Sequence, residues 1–166
     1  MSISTASKNN PQAAQKPTSS GVVQPYLMFG GRCEEALAFY RGAIGAQVDK
    51  VMLFKDSPQP TPPGMLAPGF ENKVMHSQFR VGESTIMASD GCHPDSGFKG
   101  FSLSLAVTTE AEADRAFNAL VAGGKVKMPM ARTFWSPRFG MLTDKFGVDW
   151  MVIVVTEQNM SRKPTA

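Results

Sequence analysis

The sequence predicts an α+β domain made of two βαβββ halves, and three observations carry that reading. Leu27–Val48 lies over Leu105–Val126 without a gap, 78 positions apart, and pairs Leu27 with Leu105, Glu34 with Glu112, Ala38 with Ala116, Phe39 with Phe117, Gly45 with Gly123 and Val48 with Val126. Both stretches run apolar strand, turn, amphipathic helix, glycine stop, apolar strand. The spacing is longer than the ~20–50 residues of a solenoid repeat, so it describes one domain in two related halves. Third, 166 residues with 42% hydrophobic content suit a single core. Serial βαβββ units give antiparallel-rich sheets with one helix each.

The expected domain spans 21–157, with halves at 22–90 and 100–156. In the first half, Val22–Phe29 reads as a strand broken by Gly30-Gly31. Helix follows over Cys33–Ala43, with Ala36, Leu37, Tyr40 and Ile44 as its core stripe, and Gly45 supplies a left-handed stop. Strands are predicted over Gln47–Phe54, Lys73–Val81 and Ser84–Ser89, the last two joined by a Gly82-Glu83 hairpin turn. Between the second and third lies Lys55–Phe70, 16 residues with five prolines. Prolines at this density keep it out of a ladder, and its length suits either a functional flap or a surface decoration.

In the second half, Phe101–Val107 alternates, with Phe101, Leu103, Leu105 and Val107 on one face. Thr109-x-x-Glu112 has the form of a capping box opening a helix through Ala122, which Gly123-Gly124 stops. Strands are then expected over Lys125–Met130, Phe139–Asp144 and Trp150–Val155, with Phe146–Asp149 as a turn.

Composition excludes several function classes. The net charge is +3, and the basic residues form no stripe, whereas nucleic-acid binding needs a concentrated basic face. No run approaches the ~18 apolar residues of a membrane span. Residues 1–20, polar and proline-bearing without an apolar core, read as a disordered tail, and 158–166 as a second tail. Cys33 and Cys92 share no metal-like spacing and make no disulfide framework, which points to a reducing, cytoplasmic setting. No phosphate-binding G-x-x-x-x-G-K-[ST] loop and no G-x-S-x-G elbow occur.

One set of motifs is more specific. The chain carries Pro25-Tyr26-Leu27-Met28-Phe29, Glu35–Phe39-Tyr40, Gly45-Ala46, Met75-His76 with Asp90, then Trp135, Gly140 and Asp144-Lys145-Phe146-Gly147-Val148-Asp149-Trp150. Over residues 22 to 156 it resembles the PhnB-like branch of the vicinal oxygen chelate superfamily, which also holds glyoxalase I, bleomycin-resistance proteins and extradiol dioxygenases. The resemblance implies paired modules whose curved sheets enclose a cleft, in a homodimer. It also implies a site where His and Glu from the opening and closing strand of each half hold a divalent metal. Here the matching positions are Gln24 or Pro25, Met87 to Ser89, Ser102 and Met151. That donor set predicts no metal and no cofactor.

The remaining candidates are ligand-binding side chains. His76, Gln78 and Arg80 share one strand face, and His76 leads as an acid–base or ligand-orienting group, although a solvated face or a dimer contact explains the same pattern. Tyr26 adds a hydroxyl, and Trp135, beside Phe134 and Phe139, offers an aromatic wall. Asp90 and Asp144 are candidate cleft carboxylates, with turn duty as the alternative for Asp144. Asp90, His93 and Asp95 could grip an ion, yet such clusters more often make turns.

A scaffold does not fix its chemistry. The residues favour a metal-free small-molecule binding protein, with a metal-dependent or His-assisted lyase, isomerase or dioxygenase as the alternative. Some relatives carry a ubiquinone-pathway methyltransferase name. Methyl transfer from a nucleoside cofactor usually needs a glycine-rich strand–turn–helix in a parallel sheet, and Gly30-Gly31 lacks that setting.

Overall fold

The computed structural model describes residues 21–94 and 97–156. The expected tails at 1–20 and 158–166 lie outside the described residues, as does Asp95. The elements are β1 (Tyr26–Met28), α1 (Cys33–Ile44), β2 (Gln47–Leu53), β3 (Val74–Val81), β4 (Ser84–Ser89), β5 (Leu103–Val107), α2 (Glu110–Leu120), β6 (Lys125–Ala131), β7 (Phe139–Thr143) and β8 (Asp149–Val154). They form two four-stranded sheets of identical order, β1-β4-β3-β2 and β5-β8-β7-β6. The first pair in each is parallel and the others antiparallel. The α+β class with two βαβββ halves is what the sequence predicts.

The internal repeat survives as register. Val48 on β2 pairs with Phe79 on β3, and its counterpart Val126 on β6 pairs with Leu142 on β7. Phe79 and Leu142 therefore hold the same place, and both are fully buried. The Pro-rich connection is an insertion into the first half only. Pro129, inside β6, falls between register-shifted pairs of a strand at the sheet edge, where a residue without an N–H is tolerated.

One expectation needs correction. The first strand starts at Tyr26 rather than Val22, because the lead-in residues diverge from β4. The last contact is the Met87 N–H donating to the Pro25 carbonyl at 2.9 Å. Val22 and Val23 are 80% and 100% exposed, so the apolar pattern that suggested a strand there is not used for packing within the chain.

Each helix is fixed at its ends by local chemistry. Gly45 closes α1 in the left-handed region at φ 68°, where a Cβ would be strained. Thr109 caps α2 by accepting from Glu112 N–H at 3.2 Å, while the Glu112 carboxylate reaches back to the Thr108 N–H and hydroxyl. Gly140 on β7 admits α2 closely: a Cβ there would meet Phe117 Cε2 at 2.8 Å and Met130 Sδ at 2.5 Å.

A single core joins the halves. Tyr40 of α1 lies at its centre, wholly buried. Its ring stacks on Phe79 of the first half at 5.8 Å and tilts against Trp150 of the second at 5.6 Å. Its hydroxyl donates to Asp144 Oδ2 at 2.7 Å, and Trp150 Nε1 donates to the same oxygen at 3.0 Å. The other oxygen accepts from Phe146 N–H at 2.9 Å and Val148 N–H at 3.0 Å. Burial, followed by the nearby Asp144 charge, drives the Tyr40 hydroxyl far above the ordinary tyrosine range. At the rim, Glu35 pairs with both Arg32 and Lys145. Those two cations lie over the Phe146 ring at 4.5 and 5.1 Å.

Two outcomes follow for stability. Asp144→Ala strands three buried donors and one part-buried one, each buried one costing roughly 1–3 kcal/mol when left unsatisfied, and is expected to lose at least about 3 kcal/mol. Tyr40→Phe, which removes one donor, should lose about 1 kcal/mol. Urea unfolding measures both, and an Asp144→Ala loss no greater than that of Tyr40→Phe would refute the central role of the carboxylate. At the rim, the Arg32 and Lys145 hydrogen bonds lower the Glu35 carboxyl from 4.5 to about 2. A depressed folded pKa gives stability that is present above 4.5 and lost as pH falls toward 2. Glu35→Gln should flatten that part of the acid limb, by no more than about 1 kcal/mol because the pair is exposed.

Candidate functional site

The surfaces left once the core is accounted for include a cleft between the halves and the faces of the sheets turned away from the helices. The cleft has a volume of about 700 Å³ and lies where the start of β1 meets β4, β5 and β8. Ile86, Leu103 and Trp150 contribute apolar surface, and Gln24, Glu83, Ser84, Thr85, Ser102 and Ser104 contribute polar groups. Residues 22–25, which precede β1, form one wall of it. The strand predicted there concealed it, and no local motif marks it in the sequence.

Gln24 and Ser102, two of the positions where the superfamily pattern places metal ligands, line this cleft together. The donors do not fit a divalent cation. An amide oxygen, hydroxyls and the thioethers of Met87 and Met151 replace the imidazoles and carboxylates that such an ion selects. Among the described residues, no group of three or more His, Cys, Asp or Glu side chains is placed to hold a metal.

On the first sheet, the strand register sets the open face. Tyr26 on β1 is opposite Met87 on β4, Met87 is opposite Gln78 on β3, and Gln78 is opposite Lys50 on β2. His76 pairs with Met52 one step along. Three predicted residues, Tyr26, His76 and Gln78, therefore share a face. Tyr26 Oη and His76 Nδ1 are 3.4 Å apart, with ring centroids 6.0 Å apart. Arg80 and Gln78 are both engaged with Asp49, whose carboxyl the Arg80 hydrogen bond holds below its ordinary range.

The matching row on the second sheet is Ser104, Met151, Met141 and Met128. Trp135 stands at its margin, in edge contact with Phe134 at 4.5 Å and Phe139 at 5.7 Å. The turn holding it is fixed by Ser136, buried, whose hydroxyl donates to Val154 O at 2.8 Å. Trp135 is thus part of an aromatic ledge on the other half, and none of its contacts reaches Tyr26, His76 or Gln78.

As cleft carboxylates both acidic candidates are corrections, while the turn duty expected as the alternative for Asp144 is present in its bonds to the Phe146 and Val148 N–H groups. Asp90 is buried and accepts from Gly31 N–H at 2.8 Å, Cys33 N–H at 2.7 Å and Val74 N–H at 2.8 Å. It caps α1, whose own N-cap residue Arg32 supplies no side-chain bond. Asp144 is the core hub described above. Neither presents an oxygen to the cleft. Cys33 is equally unavailable as a nucleophile: burial, reinforced by the Asp90 and Glu34 charges, pushes its thiol up to about 12. His93 is exposed.

Comparison with known proteins establishes the family and the fold. Residues 22–153 match the family model described as 3-demethylubiquinone-9 3-methyltransferase. Protein YjdN of Escherichia coli K12 is 37% identical over 144 residues, covering 82% of this chain and 97% of its own. The crystal structure of PA1353 from Pseudomonas aeruginosa is 44% identical with a TM-score of 0.71, over 81% of this chain and 98% of that one. A Bacillus cereus PhnB protein, described as a possible 3-demethylubiquinone-9 3-methyltransferase, is 28% identical with a TM-score of 0.65, covering 80% and 98%. The fosfomycin resistance protein FosX of Listeria monocytogenes, at 15% identity and a TM-score of 0.59 over 88% and 100%, shares the fold. No helix among the described residues is long and apolar enough to cross a membrane.

The division between open-face and structural polar groups is measurable. His76→Ala and Tyr26→Phe should shift the unfolding free energy by no more than about 0.5 kcal/mol, as surface changes do. Asp90→Ala strands two buried N–H groups and one part-buried one and should cost at least about 2 kcal/mol. Equal losses for His76→Ala and Asp90→Ala in urea unfolding would make His76 a structural residue.

Proposed function

The chain belongs to the PhnB-like family, the group that the 3-demethylubiquinone-9 3-methyltransferase model describes, and from that membership we propose that it is a metal-free small-molecule binding protein. The observation that carries this reading is the Tyr26–His76 pair on the open face of the first sheet. It supplies hydrogen-bonding groups beside the thioethers of Met52 and Met87, where a metal-dependent relative would need imidazole or carboxylate. Such a face can orient a ligand through the polar pair and accommodate its body through flexible, polarisable side chains.

A second copy of the chain completes the site in this proposal. Met28, Tyr26, Met128 and Trp135 are 55%, 42%, 43% and 40% exposed, and Phe134 is 92% exposed. An apolar surface of this kind usually marks a contact, and a two-fold pair would cover both open faces at once.

Two other readings are weaker on specific grounds. Methyl transfer follows from the family's descriptive name alone, and neither sheet offers a parallel βαβ setting for a nucleoside cofactor. FosX has been crystallised with Mn(II) and a dihydroxypropylphosphonic acid, but the likeness to it is one of fold. A His-assisted isomerase or lyase step would use the same Tyr26–His76 pair, and it remains the alternative that this pair favours.

Elemental mass spectrometry of protein purified without chelator should find far less than one metal ion per chain. A stoichiometric ion would overturn the metal-free reading. In a thermal-shift screen, small molecules that raise the melting temperature of the native protein should lose that effect in His76→Ala. Gel filtration at micromolar concentration should give a dimer, and a strict monomer would remove the second copy from the proposal.

A further inference from the structure

We propose that the open face of the first sheet selects a small organic anion, with the oxyanion held between Lys50 and the Tyr26–His76 pair and an apolar body lying on Met52 and Met87. This inference names the ligand class of the site proposed above and rests on that reading.

The register places the groups. Lys50 is directly opposite Gln78, and Met52 is directly opposite His76, so Lys50 and His76 are diagonal neighbours on one face. Such neighbours stand roughly 7–8 Å apart, a span that a carboxylate or phosphonate bridges with one oxygen toward each side chain. Tyr26, at 3.4 Å from His76 Nδ1, adds a hydroxyl donor next to the imidazole.

The charges on this face separate one cation from the rest. Arg80 donates to both oxygens of Asp49, at 3.0 and 3.2 Å, and to Gln47 at 3.1 Å. Asp49 is thus already neutralised by Arg80. Lys50 is exposed, and its side chain makes no hydrogen bond or salt bridge among the described residues. Neither β1 nor β4 contributes a carboxylate to this face. The face therefore carries an unpaired positive charge beside neutral donors. That arrangement favours an anion, since charge-assisted hydrogen bonds are the stronger kind. Thioethers on both sides exclude a bare inorganic ion as the natural occupant, because it would leave Met52 and Met87 uncovered. They suit an aromatic or aliphatic body, which Met side chains contact adaptably.

Isothermal titration of 2-naphthoate and of methyl 2-naphthoate, which share one body and differ in charge, tests the inference at pH 7.5. The acid should bind at least about tenfold more tightly than the ester, as expected when one charge-assisted hydrogen bond is gained. In Lys50→Met that ratio should fall to about twofold or less. An ester that binds as tightly as the acid overturns the anion inference and leaves the small-molecule reading standing. A tenfold ratio that persists in Lys50→Met overturns the assignment to Lys50. Failure of both compounds to bind at millimolar concentration overturns the ligand class, while the thermal-shift screen against His76→Ala decides the binding reading separately. Repeating the titration with 2-naphthylphosphonate distinguishes a carboxylate from a phosphonate source of the oxyanion.

Discussion

A single buried carboxylate, that of Asp144, holds the two halves of this chain in one arrangement. Its four donors come from the first-half helix, the last strand and the turn between β7 and β8. A carboxylate removed from water is tolerated only when its lone pairs are filled, so the two halves can pack only where all four donors converge. The aromatic rings around Tyr40 add dispersion and area but no direction. The hydrogen bonds supply the direction, and they fix Tyr40, and with it α1, against the second half.

Asp90 plays the corresponding part within the first half. It ties the start of β3 to the start of α1, a job usually done by a residue next to the helix. With both acids committed to the frame, the chain's exposed polar groups are left to act on the sheet faces. There the internal repeat matters most. The two faces have matching rows, Tyr26-Met87-Gln78-Lys50 and Ser104-Met151-Met141-Met128, but only the first has hydrogen-bonding and charged members at several positions. Two copies of one supersecondary unit have diverged into a polar face and an apolar one.

The fold was legible because it rests on periodicity and spacing. Tyr40 read as a core residue from its helical stripe, Gly45 as a helix stop, and β4 as Ser84–Ser89, and each is found there. The site was legible only in part. Tyr26, His76 and Gln78 fall together because alternation within a strand and pairing between neighbours are local regularities. The turn duty of Asp144 was legible, and its bonds to the Phe146 and Val148 N–H groups fulfil it, but its bond to Tyr40 and the capping role of Asp90 were not, because those partners lie far along the chain: Tyr40 is 104 positions from Asp144, and Cys33 is 57 from Asp90. Periodicity carries no information at that range. Val22 and Val23 read as the start of the strand Val22–Phe29, yet both stay exposed and the ladder to β4 begins only at Tyr26.

The thioethers decide what kind of site this scaffold supports. Met87 lies between Tyr26 and Gln78, and Met151 lies between Ser104 and Met141, each at the middle of its row. Imidazole or carboxylate at these two places would put hard donors at the centre of each face and draw a cation to it. Methionine there does the opposite. It makes the centre of each face apolar and deformable and moves the polar contacts to the flanks, at Tyr26, His76, Gln78 and Lys50. Recognition on such a surface would depend on contact area and a few peripheral hydrogen bonds rather than on one strong bond at the middle, and this is the physical argument behind the proposal of a small-molecule binder.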